Sequence, residues 1–216
     1  MGHVRRVGVV ADTHVGDLLP RLPRGVLDAL DGVELILHAG DLTAPRVLDE
    51  LRQVAPVVAV QGNHDRAAGL RLPEEVTLTL GDVRIGLVHG DRSDPWEAGA
   101  IAASFATGSL HTAGLERQLA RRFRGADVVV FGHLHAPLWR TVGGTLVFSP
   151  GAVHTMEAHA RYMSGSPRAR AYRRWRRLLP PEAADSRVGI VEVRGRSVTA
   201  RSVAVQADPA SSRSNR

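Results

Sequence analysis

Residues 4–14 read VRRVGVVADTH and set the pattern on which the fold depends. A short, nearly continuous apolar run, rich in β-branched residues, stops abruptly at Asp12, and His14 follows two positions later. The run is shorter than an ordinary helix and carries no helical periodicity, so it predicts a buried β-strand. The polar residues then fall immediately beyond the carboxyl end of that strand.

Four further apolar runs repeat this arrangement along the chain. They are ELILHAGD at 34–41, VVAVQGNHD at 57–65, VRIGLVHG at 83–90 and DVVVFGHLH at 127–135. Between them, the segments Arg24–Leu30, Pro45–Val54 and Gly114–Phe123 have the composition and boundary residues of helices. Strands that alternate with helices predict an α/β layered core.

Hairpin signals dominate the second half of the chain. Gly81-Asp82, Gly143-Gly144 and the stretch 194–196 each separate two strand-like segments. Hairpins that follow crossover units predict mixed sheets, and we expect two of them to pack together with helices outside.

The composition fits one domain, which we predict to span residues 1–205. The chain has 216 residues, of which 44% are hydrophobic, enough for a single substantial core. Cysteine is absent, which excludes disulfides and thiolate chemistry and leaves His, Asp, Glu and Asn as metal ligands. No apolar run approaches the length of a signal-peptide core or a membrane span, so we expect a cytoplasmic protein.

Positive charge is concentrated near the carboxyl end. Residues 1–159 hold 15 Arg and 18 acidic residues, whereas 160–216 hold 13 Arg and 4 acidic residues. We interpret 154–186 as a basic insertion containing a short amphipathic helix, with Trp175 on its apolar stripe. The favoured interpretation packs Trp175 on the body and leaves the arginines in solvent, while a nucleic-acid or membrane contact is the alternative, and the stripe could also serve an oligomer. Residues 206–216 are predicted to be a disordered tail.

Chemistry-bearing side chains follow the predicted strands at their carboxyl ends, where sites form in layered α/β folds. A single histidine in such a place is more often a hydrogen-bonded core residue, but a polar terminus on strand after strand is costly without a function. His38 is interpreted as a hydrogen-bonding neighbour of the site, His154 is left open, and His3, His111 and His159 are assigned to the surface. Oxygen and imidazole ligands without thiolate suit divalent ions such as Mn²⁺, Fe²⁺, Co²⁺, Ni²⁺ or Zn²⁺, and we expect Mn²⁺ first. The candidate site residues are Asp12, His14, Asp41, Asn63, His64, Asp65, His89, His133 and His135.

The ordered series Asp12-x-His14, Gly40-Asp41, Gly62-Asn63-His64-Asp65, His89-Gly90 and Gly132-His133-x-His135 resembles the calcineurin-like metallophosphoesterase superfamily. It is most similar to the small, single-domain bacterial and archaeal phosphodiesterases, a branch that includes the eukaryotic retromer scaffold subunit. The resemblance covers about Val4–Val153 and resumes near Val188. It implies a four-layer α/β/β/α sandwich with two mixed β-sheets.

The resemblance also implies a role for each matching residue. Asp12, His14 and His135 would hold one divalent ion, Asn63, His89 and His133 a second, and Asp41 would bridge both. We therefore expect a phosphodiesterase or phosphatase in which a metal-bridging hydroxide attacks phosphorus in line. His64 would assist the leaving group, and Asp65 is available to orient its ring.

The sequence departs from the family pattern at two places, and two other functions remain as alternatives. Relatives often read His-Gly-His where this chain reads His89-Gly90-Asp91, and the stretch 94–112 is an addition that could form a lid or wall over the site. One alternative function is a nuclease that holds nucleic acid through the basic insertion. The other is a non-catalytic scaffold of the retromer-subunit type, which lacks the histidine corresponding to His64.

Overall fold

The structure, a computed structural model, describes residues 4–155 and 181–206, together with residues 158, 174, 177 and 178. The predicted basic amphipathic helix, with its Trp175 stripe, and most of the predicted tail lie outside the described residues. No helix within the described part of the chain is long and apolar enough to cross a bilayer.

Within the described residues, ten strands form two five-stranded sheets, and both sheets mix parallel and antiparallel pairs, as the sequence predicted. The first sheet has the order β10-β9-β1-β2-β3. Its three parallel strands are followed by the Asp12, Asp41 and Asn63 segments. The strands are β1 (Arg5–Val10), β2 (Leu35–His38), β3 (Val57–Ala59), β9 (Arg187–Arg194) and β10 (Ser197–Ala204).

The second sheet has the order β4-β5-β6-β8-β7, in which β5, β6 and β8 run parallel. Hairpins at both edges, β4–β5 and β7–β8, turn at the predicted glycine positions. The strands are β4 (Glu75–Leu80), β5 (Val83–Val88), β6 (Val128–Val130), β7 (Pro137–Val142) and β8 (Thr145–Pro150).

Five α-helices and one 3₁₀ turn connect the strands in the described residues. Three lie at the predicted places: α1 (Arg24–Ala29), α2 (Arg46–Arg52) and α5 (Leu115–Arg122). Two were not predicted: α3 (Asn63–Ala67), which begins inside the Gly-Asn-His-Asp motif, and α4 (Asp94–Thr107). The α4 sequence is rich in Ala and carries a Pro suited to its first turn, so its helical form agrees with its composition. The 3₁₀ turn spans Pro181–Ala184.

Alternate residues of each strand enter different cores, as the two-residue period of a strand requires. Val7 and Val9 of β1 join Ile85 and Leu87 of β5 in an apolar cluster shared by the two sheets. Val10 instead joins the cluster that α1 and α2 form with the first sheet. A third cluster packs α5 against the second sheet. The contacts therefore follow the order helix, sheet, sheet, helix that a four-layer sandwich requires.

Candidate metal centre

The carboxyl ends of the parallel strands of both sheets meet at one edge of the molecule. Backbone hydrogen bonds join the loops there: the Asp12 amide donates to the Gly40 carbonyl at 3.0 Å, and the His14 amide to the Asp41 carbonyl at 3.0 Å. The Gly132 amide in turn donates to the carbonyl of His89, also at 3.0 Å. These bonds hold segments that are far apart in the chain in one fixed cluster.

Four of the predicted ligands form a compact group. Asp12, His14, Asp41 and His135 each present one ligand atom, and these atoms all lie within 4.8 Å of one another. The His135 Nε2 lies 3.4 Å from Asp12 Oδ1, and the His14 Nε2 lies 3.7 Å from Asp41 Oδ2. Asp12, His14 and Asp41 are almost fully buried, and the His135 side chain is 12% exposed. Buried carboxylates opposed by imidazole nitrogens are a donor set that fits a divalent cation.

A second group meets Asp41 from its other side. The His89 Nε2 lies 3.3 Å from Asp41 Oδ2 and 3.1 Å from the amide oxygen of Asn63. The His133 ring lies against that of His89, with centroids 5.2 Å apart. Asp41 therefore lies between the two groups of side chains that the sequence assigned to two ions.

The hydrogen bond at the far side of the His89 ring tests whether this second group fits a metal. The Nδ1–H donates to the backbone carbonyl of Ala39 at 2.8 Å, so the neutral ring carries its lone pair on Nε2. That lone pair faces two oxygen acceptors, Asp41 Oδ2 and Asn63 Oδ1, which is unfavourable unless a proton or a cation lies between them. A carbonyl that fixes the tautomer of a metal-binding histidine is a common outer contact.

The pKa values of these groups agree with the geometry. Burial alone would lower the pKa of His89, but its bond to Asp41 and the charge of Asp41 raise it to about 9. For Asp41, burial acts to raise the pKa, yet the bond and charge of His89 outweigh burial and lower it. Burial raises the pKa of Asp12 well above its ordinary value, against the charge of His89 and the His133 amide. The Asp41 carboxylate therefore favours a positive charge at this position, either a proton on His89 or a bound cation.

The backbone of the ligand loops is strained in a consistent way. Asp12, His14, Asp41, His133 and His135 all have positive φ, between 47° and 67°. This left-handed conformation is uncommon outside glycine and costs on the order of 1–3 kcal/mol per residue where the surroundings impose it. Such strain is concentrated at functional sites, and here it turns consecutive ligands towards the same edge.

Two motif glycines are required by close approach to the ligands. A Cβ on Gly62 would lie 2.1 Å from Asp41 Oδ1, and a Cβ on Gly40 would lie 2.6 Å from His89 Nδ1. Any side chain at either position would displace a candidate ligand. The space around the candidate ligands therefore explains why glycine precedes both Asp41 and Asn63 in the sequence.

His64 lies at the rim of the cluster, in the first turn of α3. Its backbone amide donates to Asp41 Oδ1 at 2.8 Å, and its ring lies edge-on to His14 with centroids 4.6 Å apart. The side chain is 44% exposed, so a substrate can reach it. The nearest acidic partner of its ring is Asp17, whose Oδ2 lies 3.8 Å from Nδ1.

Asp65 has different partners from those that the sequence suggested. Its carboxylate accepts backbone N–H bonds from Asp41 at 2.7 Å, Thr43 at 2.7 Å and Gly62 at 2.9 Å. Burial raises the pKa of Asp65 despite these bonds. The carboxylate is committed to holding the Asp41 loop against α3, so the contact with the His64 ring belongs to Asp17 instead. No local sequence pattern singles out Asp17.

His38 lies beside the site without joining it, as the sequence indicated. Its ring is buried, with Nε2 3.4 Å from the Thr13 hydroxyl, and burial lowers its pKa to about 3. His111 is exposed, as predicted, whereas His3 and His159 lie outside the described residues.

The helix α4 reaches the site through Glu97. Its Oε2 lies 3.5 Å from the His133 Nε2, and its Oε1 accepts a bond from the Arg92 Nε at 3.1 Å. Burial acts to raise the pKa of Glu97, but its bonds with His133 and Arg92 outweigh burial and lower it. The added stretch 94–112 therefore borders the site, through a residue that the sequence analysis did not single out. Asp91, at the departure from His-Gly-His, pairs with Arg66 instead.

Comparisons with known proteins identify the family of the chain. The family model of the calcineurin-like phosphoesterase superfamily domain matches residues 6–165. A probable metallophosphoesterase from Methanothermobacter thermautotrophicus is 40% identical over 149 residues, which cover 68% of this chain and 76% of the relative. A phosphodiesterase from Methanocaldococcus jannaschii is 22% identical over 160 residues, with coverage of 68% and 82%.

A solved structure shows the same fold at lower sequence identity. Vacuolar protein sorting 29 from Cryptosporidium parvum superposes with a TM-score of 0.61 at 18% identity, over 93% of this chain and 98% of the other. The family evidence goes further than shared architecture, because the family model spans residues 6–165 and so covers the loops that carry the candidate site. This chain belongs to the calcineurin-like phosphoesterase superfamily.

Proposed function

We propose that this metal-dependent phosphoesterase hydrolyses phosphate diesters at a pair of divalent cations. The observation that carries the proposal is the cluster of Asp12, His14, Asp41 and His135, whose ligand atoms lie within 4.8 Å of one another. His89 and Asn63 extend the cluster on the other side of Asp41. The preference for diesters is supported by the name of the archaeal phosphodiesterase relative.

We assign Asp12, His14 and His135 to one ion, and Asn63, His89 and His133 to the other. Asp41 would be shared, because its Oδ2 lies 3.7 Å from the His14 Nε2 and 3.3 Å from the His89 Nε2. Mixed oxygen and imidazole donors suit Mn²⁺, which we expect first, and they also accept Fe²⁺, Co²⁺, Ni²⁺ or Zn²⁺.

When bound, a pair of divalent cations supplies a water acidic enough to ionise near neutral pH, together with positive charge opposite the phosphate oxygens. The chain itself has no thiol to act as nucleophile. Its ligand loops instead fix the donors, and their buried backbone hydrogen bonds keep that arrangement from relaxing. Positioning and charge are then the main contributions of the protein.

The leaving oxygen still needs a proton when its bond to phosphorus breaks. His64 is the exposed imidazole at the rim of the cluster, and we assign to it the donation of a proton from Nε2 to that oxygen. The Asp17 carboxylate, 3.8 Å from Nδ1, favours the ring orientation in which Nε2 points away from Asp17. Asp65 supports this arrangement indirectly, because it holds α3 against the Asp41 loop.

Hydrolysis of bis(p-nitrophenyl) phosphate and p-nitrophenyl phosphate by the purified protein tests this proposal. We expect the diester to be hydrolysed in the presence of Mn²⁺, faster than the monoester, and to be spared after chelation. Restoration of activity by added Mn²⁺ controls for damage by the chelator. Activity that survives chelation would contradict the metal requirement, and a faster monoester would contradict the diester preference.

The two alternatives differ in what the described residues say of them. The retromer-type scaffold lacks the histidine that corresponds to His64, whereas this chain has it and its ring lies against that of His14. The nuclease alternative depends on the basic insertion, which lies mostly outside the described residues. The single domain over 1–205 and the cytoplasmic location stay predictions.

A further inference from the structure

His154 is a buried histidine that the family resemblance does not account for. It follows β8 by four residues, at the same edge as the candidate ligands, and its residue exposure is 1%. Its ring lies 4.6 Å from that of His135 and 5.3 Å from that of His14, measured between centroids. A buried imidazole next to two candidate ligands can influence how those ligands are oriented.

The hydrogen bonds of His154 define its tautomer. Its Nδ1 lies 3.2 Å from the carbonyl oxygen of Thr155, which can only accept, so Nδ1 carries the hydrogen. In the neutral ring the lone pair is then on Nε2. That atom lies 3.1 Å from the His135 Nδ1, and in this neutral tautomer it accepts the hydrogen of His135.

The same chain of bonds sets the tautomer of His135. With its hydrogen on Nδ1, His135 carries a lone pair on Nε2, and this atom lies 3.4 Å from Asp12 Oδ1 inside the four-residue cluster. A histidine binds a metal through such a lone pair, while its other nitrogen donates to an outer partner. The partner in this protein is an imidazole rather than the more usual carboxylate or carbonyl.

We propose that His154 is a positioning residue that holds His135 in the tautomer and orientation needed to bind the first ion. The inference rests on the proposed function only in its assumption of a metal at this cluster. His14, His135 and His154 also present ligand atoms within 4.8 Å of one another. We assign His154 the role of hydrogen-bond acceptor rather than ligand, because its Nε2 lies 3.1 Å from the His135 Nδ1. The Thr155 carbonyl supports this role, because in the neutral His154 ring it favours the tautomer that has its hydrogen on Nδ1 and its lone pair on Nε2.

Stepwise titration of the metal-free protein with Mn²⁺ tests the role of His154. H154L removes the acceptor and H154Q retains one, the amide oxygen, at about the same distance from the backbone. H111L, at an exposed histidine that belongs to no candidate metal-binding group, is the matched control. We expect H154L to weaken one of two Mn²⁺ dissociation constants by about 10–100-fold, the usual effect of losing an outer partner, and to leave the other within about threefold.

H154Q and H111L should both bind Mn²⁺ within about threefold of the parent protein. Unchanged dissociation constants in H154L would overturn the proposal, and so would an H154Q variant as weak as H154L. A parent protein that binds Mn²⁺ but hydrolyses no phosphate ester would overturn the proposed function and leave this test intact.

Nitrogen-15 NMR of the histidine rings provides a second measurement on the unaltered protein loaded with diamagnetic Zn²⁺. We expect His135 and His154 both to carry hydrogen on Nδ1. A hydrogen on the Nε2 of His135 or His154 would overturn the proposal. This readout does not depend on the folding of any variant.

Discussion

The two sheets bring different ligand chemistry to the edge that they share. The loops after the first sheet supply every candidate carboxylate and amide ligand, Asp12, Asp41 and Asn63, together with His14, whereas the loops after the second supply only imidazoles. Carboxylates require a nearby cation, and His89 presents a lone pair to two oxygens of the first sheet's loops. Ions bound between the loops would balance the carboxylate charge and would accept the lone pair of His89. They would also join the two sheets.

Two buried histidines show how strongly the contacting side chain affects the pKa of an imidazole. His38 ends a strand of the first sheet, faces a hydroxyl, and has its pKa lowered by burial to about 3. His89 follows a strand of the second sheet, where Asp41 overcomes an equal degree of burial and raises its pKa to about 9. At His38 burial outweighs the charge of Asp41, which acts to raise the pKa, whereas at His89 the direct hydrogen bond to Asp41, added to its charge, outweighs burial.

The largest loss of activity should come from a change at Asp41, the residue that both groups of candidate ligands share. D41N preserves the oxygen that accepts the His64 amide but replaces the negative charge that faces His14 and His89. We expect diester hydrolysis to fall by about 10⁴-fold or more, beyond the 10²–10⁴-fold range of a single proton donor. Turnover measurements with saturating Mn²⁺ and metal analysis of the same samples would check this. An active D41N variant would rule out a shared carboxylate.

Removal of the rim histidine should separate chemistry from metal binding. H64A should retain the Mn²⁺ content of the parent protein but lose about 10²–10⁴-fold in turnover, because it removes the proton donor and no ligand. H111A is the matched control, since His111 is exposed and belongs to no candidate metal-binding group. Full turnover in H64A would exclude the assigned role, and loss of metal would make His64 a ligand.

Metal removal tests whether ions join the two sheets. At a free concentration 100 times the dissociation constant, one bound ion stabilises the folded state by about 2.7 kcal/mol. For a chain of this size we expect chelation to lower the melting temperature by about 5–10 °C. Differential scanning calorimetry with and without Mn²⁺ measures this shift. Equal melting temperatures at saturating Mn²⁺ would contradict metal binding in the folded state.

The neutral histidine of the first sheet predicts a pH effect on stability. Because the folded pKa of His38 is about 3 and the ordinary value is 6.5, the unfolded chain gains a proton below pH 6.5 that the folded protein does not. His38 should therefore cost up to about 1.4 kcal/mol of stability per pH unit as pH falls below 6.5, and nothing above it. Urea unfolding of metal-free protein at pH 7, 6 and 5 should show a shallower decline for H38Q. Identical pH slopes in the two proteins would contradict a buried neutral His38.

The smallest effect should come from the added helix. E97Q retains an oxygen near the His133 ring but removes the charge that Arg92 and His133 share. We expect turnover to fall by about tenfold or less, with weaker binding of the second ion only, in line with an outer partner. The control is E50Q, at a glutamate on α2. E116Q would not serve as a control, because Glu116 is buried. A full loss of activity in E97Q would make Glu97 a ligand.

Much of this could be predicted from the sequence because the signals are local. The apolar runs that precede Asp12, Asp41 and Asn63 show where buried strands end, and the carboxyl ends of parallel strands share an edge. Composition also predicted α1, α2 and α5. The segment Asp94–Thr107 gave no such signal in advance, because its small residues are compatible with a loop as well as a helix. The same reasoning could have predicted a role for His154. It follows β8, which runs parallel to β6, so its side chain belongs to the same edge.

By itself, the sequence determined the two mixed sheets, the edge that bears the chemistry and the residue types present there, because these follow from hydrophobic pattern and strand direction. Only the tertiary structure decided which groups face one another. It assigned Asp65 to three backbone amides and Asp17 to the ring of His64, and it placed Glu97 on His133 and His154 on His135. Such pairings depend on loop conformations set by distant backbone contacts and left-handed φ values, and no local pattern of residues encodes them.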